Sequence, residues 1–349
     1  MPKTSRPKPY IHHLMIFPTT ECNLRCKHCA SPPIKPTRWL ALKQNGELDE
    51  ETLDNISRGI DERTHLIFGG TEPLLHPKFI PMLDKICSRK KPKALRIMTN
   101  ATMFQDSEYA MEFMRKAREA VGNKCRIWVY PSLDDMHAYG SLEPGNKRGE
   151  WDSRIHCVKN LIKAVMAEDG MYMIHSALPT EQREERYDEV IRKELGLPEN
   201  KDKNYRGIDV LTLVKPTVSL ERDPNIGHLD KYDVQTAVRK SEAMCLLMNR
   251  DNHWRVAVHP DGGVNQYHIN CYERPKEWNA ADKPLNQILN EMVVKWPHKK
   301  IDMRLAEIQK ERRGLFVKRL PFKALNDIRE TAGEITAIPS AVRNWTKRK

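Results

Sequence analysis

The sequence has no stretch apolar enough to cross a membrane. Mean hydropathy is −0.68, and no apolar run approaches the ~20 residues a spanning helix needs. The first apolar stretch, HLMIF at 13–17, is too short for a signal-peptide core and runs straight into a cysteine cluster. A cytoplasmic protein with no membrane partner is expected. Cysteine is sparse for a disulfide-stapled fold. Eight are spread over 349 residues, where a secreted scaffold would be shorter and denser. Reduced thiols available to a metal follow from that. Internal repeats and low-complexity segments are also missing. The 40.6 kDa chain is long enough for one large α/β domain with an appendage, or for two domains.

Acid is scarce at both ends. Residues 1–12 carry Lys3, Arg6 and Lys8 and no Asp or Glu, and residues 298–349 carry 14 Lys/Arg against 6 Asp/Glu. The net charge is +12, so 13–297 are left nearly neutral, at +1. A solvated basic tail accounts for this pattern. An electrostatic handle for nucleic acid or an acidic peptide is the alternative. Few aromatics interleave with the tail's charges, which counts against single-strand stacking.

What is present is an alternation of short apolar strands with amphipathic helices. Strands are expected at 13–20, 64–70, 94–100, 125–134, 171–178 and 208–214. Helices are expected at 49–63, 76–90, 106–121, 151–168 and 181–195. Six such units suit parallel strands joined by right-handed crossovers, either three-quarters of a barrel or a doubly wound sheet. After 215 the pattern changes. A hairpin is expected at 253–267 around HPDGG, then a helix at 284–291 and a basic helical tail.

The chemistry-bearing motifs fall at the C-terminal ends of these strands, the edge on which such sheets build sites. ECNLRCKHC (21–29) follows strand one, GGTEPLLHP (69–77) strand two, TNAT (99–102) strand three and SLDD (132–135) strand four. Cys22, Cys26 and Cys29 stand at C-x3-C-x2-C. Three thiolates suit an iron–sulfur cluster with one open iron. Zinc with a fourth ligand such as His28, or a redox-active C-x2-C, are the alternatives. His76, His175 and His259 are expected to be structural or exposed.

With these motifs in place, the chain resembles the radical S-adenosylmethionine (radical SAM) enzymes over about 12–215. CNLRCKHC matches that family's C-x3-C-x-Φ-C, with His28 at the usually aromatic position. GGTEP is similar to its GGEP motif, with Thr71 where many members have glycine. The resemblance implies an α/β fold, a partial (β/α)6 TIM-type barrel with a small C-terminal α+β extension. It implies a 4Fe–4S cluster on Cys22, Cys26 and Cys29 whose open iron chelates S-adenosylmethionine. Reductive cleavage would then give a 5′-deoxyadenosyl radical that abstracts hydrogen from a substrate. A donor such as flavodoxin or ferredoxin would supply the electron. Cofactor contacts are implied for His28, Gly69, Gly70, Thr71, Glu72, Pro73, Asn100, Ser132 and Asp134. Glu72 would pair with the cofactor's ammonium or fix its own loop.

Cys87, Cys125 and Cys157 sit among apolar neighbours and are expected to be buried and inert. Cys245 and Cys271 flank the hairpin in a region that resembles the SPASM or twitch extension, where cysteines bind auxiliary clusters. His268 and the distant Cys157 are the further ligand candidates. With two local cysteines, a degenerate extension that has lost its cluster is the expectation. The organisation expected is a core at 12–215, a SPASM/twitch-like domain at 216–297 and a basic tail at 298–349. The extension favours a peptide or protein substrate. RNA or a small molecule, or a non-catalytic iron–sulfur or zinc protein, are the alternatives.

Overall fold

The computed structural model describes residues 8–19, 21–24, 48–70, 72–133, 147–176, 193–196, 205–210, 248–249, 252–266 and 277–314. Eight strands form one sheet: β1 (Tyr10–Ile16), β2 (His65–Phe68), β3 (Ala94–Thr99), β4 (Arg126–Pro131), β5 (Met171–Ser176), β6 (Tyr205–Val210), β7 (His253–Val258) and β8 (Val264–Gln266). Their spatial order is β6-β5-β4-β3-β2-β1-β7-β8. Strands β1 to β6 therefore lie side by side in chain order, each parallel to the next. A doubly wound sheet would reverse direction at a switch point. The absence of a reversal is what a partial (β/α)6 barrel requires.

The helices are α1 (Glu50–Ser57), α2 (Phe79–Ile86), α3 (Ser107–Val121), α4 (Lys147–Ala167), α5 (Leu285–Lys295) and α6 (His298–Gly314). Their starts follow local chemistry. Asp49 accepts the Thr52 N–H at 2.7 Å and Asp106 the Tyr109 N–H at 2.8 Å, satisfying N–H groups that have no partner inside the helix. Gly122, at φ +79°, ends α3. One face of the sheet packs against the helices. Ile11, Leu14, Leu66, Phe68, Leu95 and Ile97 join Leu83, Met114, Leu161 and Val165 in the main core. The opposite face carries two smaller apolar groups, Met15, Ile67 and Ala257 with Phe17 and Met98, and Ala94, Trp128 and Tyr130 with Met171 and Met173. Strands buried on both faces read as continuous apolar runs, as HLIF does.

Some boundaries differ from the sequence expectation. Strand β1 begins at Tyr10 rather than 13, because β7 pairs with it from Tyr10 onward. Strand β6 starts at Tyr205, three residues ahead of the expected 208. Helix α2 is shorter than expected at both ends, running 79–86, with a 3₁₀ turn at Pro73–Leu75 ahead of it and Cys87 ending it. Cys87, Cys125 and Cys157 are buried, as expected, and burial pushes the first two thiols up to about 12.

The expected hairpin is present. Strands β7 and β8 are antiparallel, and the turn is closed by His259 N–H to Gly263 O at 2.9 Å. Gly262, at φ +76°, permits it, and a Cβ there would also run into Asn279. What the sequence did not indicate is that β7 joins the main sheet, parallel to β1 on its outer edge. Helix α5 completes the attachment. Leu285 is fully buried and lies where a side chain on Gly59 would sit. Asn55 Nδ2 donates to Ala280 O at 3.0 Å.

Candidate functional site

The C-terminal ends of β1, β2 and β3 bring the expected motifs together. After β2 the chain passes through Gly69 and Gly70. A Cβ on Gly69 would lie 3.0 Å from Met15 Cε and 3.1 Å from Met98 Sδ. Gly70 adopts φ +102°, and a Cβ there would overlap the Phe17 ring. Gly70 therefore needs glycine for both space and conformation, while at Gly69 a side chain would have to displace the ends of Met15 and Met98 by a few tenths of an ångström. Phe17 in turn stacks on His259 at the end of β7, with centroids 5.0 Å apart. The loop over β2 is thus braced by residues from both flanking strands.

Glu72 is 1% exposed and organises the next step. Its Oε1 accepts Thr99 Oγ1–H at 2.8 Å and the Leu74 N–H at 3.2 Å, and its Oε2 accepts the Asn100 N–H at 2.5 Å. Its own N–H donates to Glu21 O at 3.0 Å. The carboxylate therefore caps the 3₁₀ turn that opens with buried Pro73 and ties it to the end of β3, while the backbone N–H ties it to the segment bearing Cys22. Burial pushes its pKa up to about 7, against the pull of the hydrogen bonds from Asn100, Thr99 and Leu74. Of the two roles expected for Glu72, this geometry performs the loop-fixing one directly.

Asn100 continues the chain of contacts. Its Nδ2 donates to Asn23 Oδ1 at 2.8 Å and approaches Cys22 Sγ at 3.9 Å. Its Oδ1 accepts from Thr102 N–H at 3.0 Å and Thr102 Oγ1–H at 2.7 Å. Cys22 Sγ also accepts the Leu24 N–H at 3.4 Å. Ser132 joins the edge through its backbone, donating N–H to Thr99 O at 2.8 Å, while its carbonyl accepts from Arg154 Nη2 at 2.8 Å.

Gly69, Gly70, Glu72, Pro73, Asn100, Ser132 and Cys22 are therefore gathered on one edge. Cys26, His28, Cys29, Thr71, Asp134, Cys245, His268 and Cys271 lie outside the described residues. Three contributors were not singled out from sequence: Thr99, Asn23 and Phe17. Asn23 sits inside the cysteine motif and Thr99 directly before Asn100, so position next to a motif was the available signal. Among the described residues, no cluster of three or more His, Cys, Asp or Glu is placed to hold a metal ion. No described helix is long and apolar enough to cross a membrane.

Residues 16–190, about half of the chain, match the family model described as the Radical SAM superfamily. The chain belongs to the radical SAM superfamily. Members of this superfamily use a 4Fe–4S cluster and S-adenosylmethionine. Among solved structures, the chain is similar to Streptococcus suis SuiB bound to S-adenosylmethionine, at 14% identity and a TM-score of 0.42, over 80% of this chain and 65% of that one. It thus spans about two thirds of SuiB's length. It is also similar to BtrN in complex with AdoMet and 2-DOIA, at 14% identity and a TM-score of 0.43, over 88% of this chain and 91% of that one. No curated protein matches the sequence.

The described part of the radical SAM edge fits such cofactors chemically. Cys22 is partly exposed, and its sulfur accepts an amide N–H, an arrangement that favours a thiolate ligand. Beside it, the Gly69–Gly70 backbone has no side chain to block close approach of a ligand.

Proposed function

We propose that this radical SAM protein is an enzyme that carries out hydrogen abstraction on a peptide or protein substrate. The observation supporting catalysis is the convergence of Cys22, Asn100, Glu72 and the Gly69–Gly70 backbone on one edge of the barrel. Cys22, Cys26 and Cys29 would hold the 4Fe–4S cluster. When bound there, cluster and S-adenosylmethionine supply reductive C–S cleavage and a 5′-deoxyadenosyl radical. Gly69 and Gly70 offer backbone groups at close range, with Thr71 next in line. Glu72 and Pro73 hold that loop against β3, and Asn100 orients the Cys22 segment. His28, Ser132 and Asp134 are the remaining candidate cofactor contacts. The apolar face opposite the helices, with Met15, Ile67 and Met98, keeps water away from the edge.

Anaerobic purification with iron and sulfide analysis, followed by dithionite and S-adenosylmethionine, tests this reading. About four irons and release of 5′-deoxyadenosine are expected, with Cys26→Ala silent. Zinc without iron would instead favour the non-catalytic alternative.

The peptide assignment rests on the C-terminal region as a SPASM/twitch-like extension at 216–297, following a core at 12–215 and preceding a basic tail at 298–349. The β7–β8 hairpin and helix α5 support it. Cys245 and Cys271 are then remnants of an auxiliary site, and about four irons rather than eight are expected. A flavodoxin or ferredoxin is the proposed electron donor, in the cytoplasm. Stimulation of 5′-deoxyadenosine release by peptide fractions, and not by RNA, is the substrate test. Stimulation by RNA would move the function to nucleic acid, with the basic termini as the handle.

A further inference from the structure

A second constellation lies at the opposite end of the sheet and belongs to none of the motifs above. It begins with an irregularity in β1. The pairing of β1 with β7 shifts register between Ile11 and His13, so His12 is an extra, bulged residue. Ile11 and Leu14 face the helix-side core. The bulge lets the two consecutive histidines between them come together, with ring centroids 4.5 Å apart. His12 also stacks on His65 at 4.9 Å and on His253 at 5.4 Å, and His13 lies 5.3 Å from His65. Arg255 is the register partner of His13. Arg96 approaches His65 Nδ1 at 3.4 Å through Nη2 and sits over the Trp128 ring.

Two of these imidazoles are nearly sealed, His13 at 3% exposed and His65 at 7%. Yet neither ring nitrogen of His13, nor Nε2 of His65, has a hydrogen-bond partner among the described residues. Arg96 Nε is likewise without one. Buried polar atoms in folded proteins are normally satisfied, so several orphans at one place call for an explanation. If Arg96 donates to Nδ1 of His65, the ring proton is on Nε2, which makes the orphan a donor.

Among the described residues, the charged groups bearing on the rings are of one sign. The groups bearing on His12, His13 and His65 are His253, Arg255, Lys93, Arg96 and Arg126 together with one another. Asp61 bears on neighbouring Tyr10 but is already engaged by Arg63 at 2.8 Å. Burial and these cations hold His12 down to about 4, His65 to about 3 and His13 well below its ordinary value. The cluster is reachable from the rim. His12, His253, Arg96 and Arg255 are half-buried, while Lys93 and Arg126 are exposed. Further along the same strands, Met15, Ile67 and Ala257 pack together with Phe17 and Met98. Four residues of chain, about 13 Å, separate His65 from Gly69.

We propose that the N-terminal end of the barrel is a binding site for a phosphate-type oxyanion, held by His12, His13, His65, Arg96 and Arg255. Two guanidiniums and the imidazole N–H donors grouped at this end of the sheet match a phosphate's charge and its many acceptor positions. A metal ion is the poorer occupant, because the arginines would repel it and no carboxylate is part of the cluster as described. The site is separate from the cofactor edge and does not depend on the reaction proposed there.

A bound dianion would raise the pKa of the rings it touches, so binding takes up protons at a pH near or below the raised values, as at about pH 5. Calorimetric titration of the full, cluster-reconstituted chain with inorganic phosphate and with AMP, in two buffers of different ionisation enthalpy, reads this directly. Saturable binding with net proton uptake is expected. Affinity should fall at least about tenfold in Arg255→Gln and in Arg96→Gln. His13→Phe keeps the ring volume and removes both orphan nitrogens. It should raise the melting temperature of the ligand-free protein and abolish the stabilisation by phosphate. Tighter binding of AMP marks a phosphate carried on an organic molecule, and equal or tighter binding of inorganic phosphate marks the free ion. Absence of saturable binding by either probe overturns the proposal. So does binding that is unchanged in both His13→Phe and Arg255→Gln.

Discussion

Glu72 and His13 are both almost completely buried titratable residues, at opposite ends of the same parallel strands, and they are treated in opposite ways. The carboxylate of Glu72 accepts three hydrogen bonds, and its backbone N–H reaches one further segment, at Glu21. The imidazole of His13 has no hydrogen-bond partner among the described residues and is surrounded by cations. Burying a polar group is tolerated when its partners come with it. One end is thus internally complete, a scaffold for the loop after β2. The other keeps ring nitrogens without a hydrogen-bond partner among the described residues, which the proposed oxyanion would supply.

Substitutions can break or sharpen this contrast. The largest effect is expected from Cys22→Ala, which should lower iron content and reduce 5′-deoxyadenosine release below detection. His13→Phe should leave that rate within about twofold. Loss of cofactor cleavage in both would join the two ends into one site. Next, Glu72→Ala strands three donors and should cost about 3 kcal/mol in urea denaturation, whereas His13→Phe should cost nothing. Gly70→Ala forces a side chain into the left-handed region and against Phe17, for about 2 kcal/mol in the same measurement.

The pH dependence of the cofactor-free protein should run in opposite senses at the two ends. The folded pKa of Glu72 is raised to about 7, so its contribution is full below about 4.5 and is lost as pH rises toward 7. Those of His12 and His65 are lowered to about 4 and about 3. Their contributions are full above about 6.5 and are lost as pH falls toward those values. Each group changes stability by at most about 1.4 kcal/mol per pH unit inside its window. Denaturation across pH should show the alkaline slope flattened in Glu72→Gln and the acid slope flattened in His65→Gln. The smallest effect, about 1 kcal/mol, is expected for Asp49→Ala, which removes the cap of α1 and lies at neither site.

The gathering of Cys22, Gly69, Gly70, Glu72, Pro73, Asn100 and Ser132 on one edge was legible because each piece is contiguous in sequence and ends a strand. The three cysteines, GGTEP and TNAT are short motifs whose positions after β1, β2 and β3 follow from apolar periodicity. The helix faces of α2 and α4 were legible for the same reason, and Leu83, Ile86, Val158 and Leu161 are buried as their spacing demands. The histidine end was not legible. A bulge breaks the period of two on which strand patterns rely, so His12 and His13 read as the ragged start of a strand. The pairing of β7 with β1 was hidden because it joins residues about 240 apart, with no repeated motif to announce it. Thr99, Asn23 and Phe17 act through contacts that only the folded edge creates.

The late arrival of β7 also bears on how the chain folds. Among the described strands, β1 has β2 on one side and depends on residues 253–258 for the other. During synthesis, six strands can be assembled while that flank of β1 still offers open N–H and C=O groups. Such an edge is a template for pairing with other chains, and contacts this distant in sequence form slowly. A chain stopped before residue 253 should therefore tend to aggregate, with the exposed side of β1 as the seam.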